Sequence, residues 1–201
     1  MNRRSILLTT AALALSTLVP LTTAGPASAA SPTGGSTPAT AGASLATATL
    51  VGHSHPQVLS VHGARAYRIG VSLAALTAAG RLDWTAPGCG GVVHAGATGS
   101  WAGVLMLAFR DGRLVAVGTA TAPPRSPAGA MVGMSFAELE EIYGRRGSLI
   151  RNDAGDAEAY LVRVGSRVEL FTGHPIRPGV GFFEVGPAVF VERNFRLGSA
   201  C

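Results

Sequence analysis

The sequence predicts an α+β fold of two tandem units, each a short helix followed by an antiparallel β-meander, the two packed together. One stretch occurs twice. Ile69-Gly70-Val71-Ser72-Leu73-Ala74-Ala75-Leu76 runs on to Gly80, and Val132-Gly133-Met134-Ser135-Phe136-Ala137-Glu138-Leu139 runs on to Gly144. The copies stand 63 residues apart, too long for a solenoid period but suited to a duplicated α+β unit. Apolar runs with strand-like alternation follow each copy, and one of them turns at Asp111-Gly112, the strongest short-range hairpin signal. Hydrophobic residues make up 47% of the chain and charged residues 13%, which is enough for a packed core.

The chain divides into four parts. Residues 1–29 read as a secretory signal peptide: Arg3 and Arg4 lead, Ile6 to Leu21 form the apolar run, and Ala27-Ser28-Ala29 fits the cleavage site. Residues 30–56 are rich in Ser, Thr, Gly, Ala and Pro and read as a flexible linker. Unit one is assigned to 57–122 and unit two to 129–201. The pair Pro123-Pro124 and then Pro127 separates them.

In each unit Ser72 or Ser135 is expected to cap a helix by accepting from an orphan N–H of the first turn. Ser135 and Glu138 have capping-box spacing. Gly70 and Gly133 suit a tight entry turn, and Gly80 and Gly144 suit a left-handed exit. Leu73, Leu76 and Ala79 would share one face, as would Phe136, Leu139 and Tyr143. A Gly-x-Ser-x-Gly nucleophile elbow is absent, because Ala74 and Ala137 hold its last position; both serines are read as caps.

After the first helix, Arg81 to Gly91 reads as a loop, Gly91 to His94 as a short apolar run and Ala95 to Ser100 as a turn. Ala102 to Arg110 and Leu114 to Thr119 form the hairpin, with Phe109 opposite Leu114 and Leu107 opposite Ala116. Both faces of this hairpin are apolar, so it should lie centrally and be covered on both sides. In unit two, Arg145 to Asp156 reads as a polar loop. Glu158 to Val164 then pairs with Val168 to Thr172. A three-residue connection setting Val164 against Val168 and Val162 against Leu170 keeps one apolar face together and is the expected register. His174 to Gly179 is a loop. Phe182 to Val185 and Val189 to Phe195 make a last hairpin around Gly186-Pro187, with Glu192 and Arg193 at its edge.

The Gly-x-Ser motif and its duplication resemble the tandem units of secreted β-lactamase inhibitory proteins, whose helices begin with Gly-Met-Ser or Gly-Met-Thr. Gly133-Met134-Ser135 matches that signature and Gly70-Val71-Ser72 matches part of it. The stretch is also similar to the helix start of small envelope lipoproteins of outer-membrane assembly. The chain from the linker onward resembles a group of secreted actinobacterial proteins that end in Cys. The resemblance implies the duplicated fold and an exported protein. It transfers no binding residue.

All sixteen basic residues are Arg and are dispersed along the chain, with Arg145-Arg146 the nearest thing to a cluster. A nucleic-acid footprint needs a dense basic stripe with interleaved aromatics, so no nucleic-acid partner is expected. No stretch beyond the leader reaches the roughly 20 apolar residues of a membrane span, so no membrane association is expected after signal cleavage. Two cysteines, Cys89 and Cys201, in an exported chain read as one disulfide. His53-Ser54-His55 would place two rings on one strand face, but no acidic or cysteine ligand accompanies them; neither a metal nor a cofactor is expected.

These features point to a secreted, non-catalytic binding module for a protein or an envelope component, using an exposed sheet face or loops. Trp84, Trp101, His174 and Arg177 are its candidate contact residues. The alternative is a secreted hydrolase in which His94 or His174 meets a nucleophile and a carboxylate from Asp83, Asp111 or Glu184.

Overall fold

The computed structural model describes residues 57–199, all within one compact unit. Mostly antiparallel sheet with a few short helices, it is an α+β architecture. The expected signal peptide, linker and His53/His55 pair lie outside the described residues, as does Cys201. Cys89 is described, and no free cysteine occurs among the described residues.

A two-stranded hairpin comes first, β1 (Gly63–Ala64) and β2 (Tyr67–Arg68). Helix α1 (Leu73–Ala78) follows, then β3 (Leu82–Pro87), β4 (Val92–Ala97), β5 (Met106–Arg110) and β6 (Arg113–Thr119). The second half repeats the order with α2 (Phe136–Tyr143), β7 (Gly147–Arg151), β8 (Glu158–Val164), β9 (Arg167–Gly173) and β10 (Val180–Pro187). Helix α3 (Val191–Leu197) closes it. The eight longer strands form one antiparallel sheet in the order β3-β4-β5-β6-β10-β9-β8-β7. The last strands of the two halves therefore pair at the centre, Val117 opposite Val185 and Gly118 opposite Glu184.

Both helix starts form as their sequence predicts. Ser72 accepts from Ala75 N–H, and Ser135 with Glu138 completes a capping box. Gly70 and Gly133 carry φ of +95° and +92°, a region closed to most side chains. Each motif is also anchored in the same way. Gly70 N–H donates to Leu114 O and Leu114 N–H to Val71 O; Gly133 N–H donates to Val180 O and Val180 N–H to Met134 O. Gly80 takes the left-handed exit of α1, whereas Gly144 ends α2 with ψ near −129° and leads straight into a short 3-10 turn.

The inner face of the sheet packs on α1 and α2. Leu76, Leu139 and Tyr143 meet Leu107, Phe109, Leu114, Phe171 and Phe183 there, with Phe171 and Phe183 stacked at 4.3 Å between centroids. The outer face carries a smaller cluster under α3: Val92, Ala108, Ala116, Leu161, Val168 and Leu170 against Phe190 and Val191.

Several expectations are corrected, and the two-sided core explains the last three of them. Arg81 to Gly91 is not all loop, nor is Arg145 to Asp156. β3 and β7 lie within them as the two outermost strands, exposed over most of their length; an edge strand with little to bury shows no apolar alternation. The strand of Gly91 to His94 runs on to Ala97, and the one expected from Ala102 begins only at Met106. The Asp111-Gly112 hairpin forms with both φ positive, as a type I′ turn requires, and Phe109 faces Leu114. Beyond that pair a bulge intervenes, so Leu107 faces Val117 and Ala116 faces Ala108. The extra residue on β6 turns both Leu114 and Val117 to the inner core.

The β8–β9 connection is the two-residue Gly165-Ser166 turn, with Val164 opposite Arg167 and Leu161 opposite Leu170. The expected register assumed one buried face. Here both are buried, so Tyr160 and Val162 serve the inner core while Ala159 and Leu161 serve the outer one. Finally, Val189 to Phe195 is not a strand. Both sides of β10 are already paired, with β6 and β9, and the segment instead folds as α3 across the outer face. Glu192 is accordingly buried and bridges Arg163 at 2.6 Å and Arg196 at 3.3 Å.

Candidate functional site

Helix α3 covers only part of the outer face. Beside it a groove of about 390 Å³ opens, floored by Met106, Leu170, Phe182 and Glu184 and walled by His94 and by Asn194 of α3. The sheet register builds this floor. Gly96, Met106, Gly118, Glu184 and Leu170 stand in one row across β4, β5, β6, β10 and β9. The glycines in that row receive aromatic rings. A Cβ on Gly96 would lie 2.3 Å from the Trp84 indole, and one on Gly118 would lie 2.3 Å from the Phe182 ring. Both rings therefore lie directly on backbone, leaving Trp84 (46% exposed) and Met106 (42% exposed) as large apolar groups on the uncovered part of the sheet.

Among the described residues, Glu184 is the one carboxylate lining the groove. Burial pushes its carboxyl up to about 7, because an apolar floor disfavours the charged form. The lining is thus an apolar surface with a few polar groups, the usual composition of a ligand site.

The sequence-based candidates separate. Trp84 stands on β3 rather than in a loop, beside the groove. Trp101 is buried in a 3-10 turn, 4% exposed, and among the described residues its indole N–H has no acceptor. His174 and Arg177 do share one loop: His174 Nδ1 accepts from the N–H groups of Ile176 and Arg177 at 3.1 Å, with the Arg177 guanidinium 3.3 Å from Nε2. That arrangement organises the loop locally. Of the hydrolase candidates, His94 and Glu184 line the same groove, while Asp83 is exposed on β3 and Asp111 sits in the hairpin turn. Among the described residues no histidine ring is hydrogen-bonded to a serine, a cysteine or a carboxylate; His62 meets Arg167 and His174 meets its own loop.

Sequence reasoning missed Met106 and Phe182 as surface groups. Their signal was present in the alternation of Phe182 and Glu184 against Phe183 and Val185, but which of two apolar faces stays open depends on where α3 lies. A second feature with no sequence signature is buried beneath α2. The Tyr143 hydroxyl lies 2.5 Å from Glu169 Oε2 and 2.6 Å from Ser126 Oγ. Burial and the bond to Glu169 hold the phenol well above its usual range, and burial raises Glu169 as well.

No family model matches the chain, and no curated protein matches it. Among solved structures, it is similar to an extracellular protein containing an SCP domain from Bacillus anthracis str. Ames, at 10% identity and a TM-score of 0.41 over 64% of this chain and 46% of that one. It is also similar to a cysteine-rich secretory protein from Staphylococcus aureus subsp. aureus Mu50, at 13% identity and a TM-score of 0.38 over 62% and 47%. The chain spans about half the length of these structures. At those scores the likeness defines neither its fold nor its activity. Among the described residues no helix is long and apolar enough to cross a membrane.

Proposed function

We propose that this chain is a secreted, non-catalytic binding module of two tandem α+β units, holding a protein partner on the open part of its outer sheet face. The duplication is supported by the two Gly-x-Ser helix starts, each anchored by the same pair of backbone hydrogen bonds to the final strand of its half. The observation that carries the binding reading is the groove itself: an apolar floor that includes exposed Met106 and carries one carboxyl, flanked by exposed Trp84. Such a surface suits a partner that inserts an apolar side chain and presents a hydrogen-bond donor to Glu184. A trapped, desolvated anchor of this kind typically dominates an interface.

The hydrolase reading keeps one observation in its favour, since His94 and the raised Glu184 carboxyl share the groove. Titratable groups shifted in a cleft often mark chemistry. Against it, neither residue is joined to a nucleophile.

The test is capture of the host's own secreted and wall-extracted proteins on immobilised, oxidised residues 31–201. One protein is expected to be retained saturably, with retention lost in Met106→Asp and kept in Ile176→Asp, a substitution at an exposed loop position outside the groove. Equal retention by both variants removes the groove as the binding surface. Turnover of a model ester or peptide that disappears in Glu184→Gln establishes the hydrolase instead.

A further inference from the structure

A second pocket, of about 270 Å³, lies at the β1–β2 hairpin and is lined by Ser60, His62, Gly63, Arg65, Arg68 and Trp101. Among the described residues no carboxylate lines it. Neither Arg65 nor Arg68 makes an ion pair among the described residues, and both are exposed. Arg65 also holds φ at +49°, a backbone region that side chains of its kind rarely adopt. Of the remaining polar groups, His62 and Trp101 carry N–H donors. The guanidinium of Arg167 meets His62 Nδ1; since a guanidinium only donates, Nδ1 accepts and the imidazole proton sits on Nε2. Ser60 has already committed its hydroxyl hydrogen to Gly63 O. Trp101 is almost wholly buried, and among the described residues its indole N–H is without an acceptor.

We propose that this pocket binds a phosphate dianion, with Arg65 and Arg68 supplying the charge, His62 Nε2–H a further donor, and Trp101 in the pocket wall. Two unpaired guanidinium groups balance a phosphate of roughly −1.5 to −2 charge better than a singly charged carboxylate, and their planar forks match its oxygens. A free phosphate ion and the phosphomonoester end of a larger ligand offer the same chemistry.

The experiment follows the indole N–H resonances of the oxidised chain, residues 31–201, in a ¹H–¹⁵N spectrum at constant ionic strength. Trp84→Phe assigns the Trp101 signal. Inorganic phosphate, glycerol 3-phosphate and acetate are titrated separately. The Trp101 resonance is expected to move saturably with phosphate, at least tenfold more tightly than with acetate. Arg65→Gln and Arg68→Gln are each expected to weaken phosphate binding at least tenfold, while the rest of the spectrum reports an intact fold. A tenfold preference for glycerol 3-phosphate over inorganic phosphate assigns the site to the phosphorylated end of a larger ligand; equal affinity assigns it to the free ion. An unsaturable shift, equal response to acetate, or unchanged affinity in both arginine variants overturns the proposal.

Discussion

Glu184 is where single-residue chemistry and stability meet. Its folded-state carboxyl stands at about 7, above the ordinary 4.5, because the groove floor disfavours charge. Between those two values the unfolded chain releases a proton that the folded chain keeps. Stability therefore falls as pH rises through this window and levels off above about 7. Glu184→Gln removes the titration while keeping the shape. Urea unfolding at pH 5 and pH 8 should show the variant gaining stability relative to wild type as pH rises. A difference that stays constant across the two pH values would mean that the carboxyl is solvated. Glu169 does not confound the comparison, although burial raises it in the same direction, because it is present in both proteins.

At the level of elements, the local signals were legible and the long-range ones were not. Ser135, Glu138, Gly133 and the Asp111-Gly112 turn act through neighbours within a few residues, and their chemistry reads directly from sequence. The capping box gives this a measurable form. Ser135 Oγ accepts from Glu138 N–H and donates to the Glu138 carboxylate, whereas Ser72 makes a single capping bond to Ala75 N–H. Both Ser→Ala substitutions should destabilise by about 0.5–2 kcal/mol, with Ser135→Ala the more costly in denaturant titrations. A larger loss for Ser72→Ala would show that α1 depends on its cap more than on burial of Leu76. β3 and β7 were illegible because they bury little. The Val115 bulge, the Gly165-Ser166 turn and α3 were illegible because each depends on a sheet buried from both sides. The groove was half legible: His94 and Glu184 were visible as titratable residues, but only the strand order, which lays β4 and β10 in one sheet, brings them to the same groove.

For the molecule as a whole, the decisive contact is the antiparallel pairing of β6 with β10, which makes one sheet of two four-stranded halves. Val117 and Val185 are fully buried at this seam, so separating the halves would expose an apolar edge on each. The expected Cys89–Cys201 bond bears on the same seam. Cys89 lies between β3 and β4 in the first half, and Cys201 is the final residue of a chain whose last helix packs over the second. A bond closing a loop of roughly a hundred residues removes enough unfolded-state entropy for on the order of 4–5 kcal/mol. Proteolysis of unreduced, denatured protein should yield one peptide pair linking Cys89 to Cys201. Cys89→Ser/Cys201→Ser should then lose several kcal/mol in urea unfolding while keeping the spectrum of the folded state, because the seam itself is built from buried strands. Two free thiols in the unreduced protein would discard the bond, and the β6–β10 pairing would then have to hold the two halves together without a covalent link.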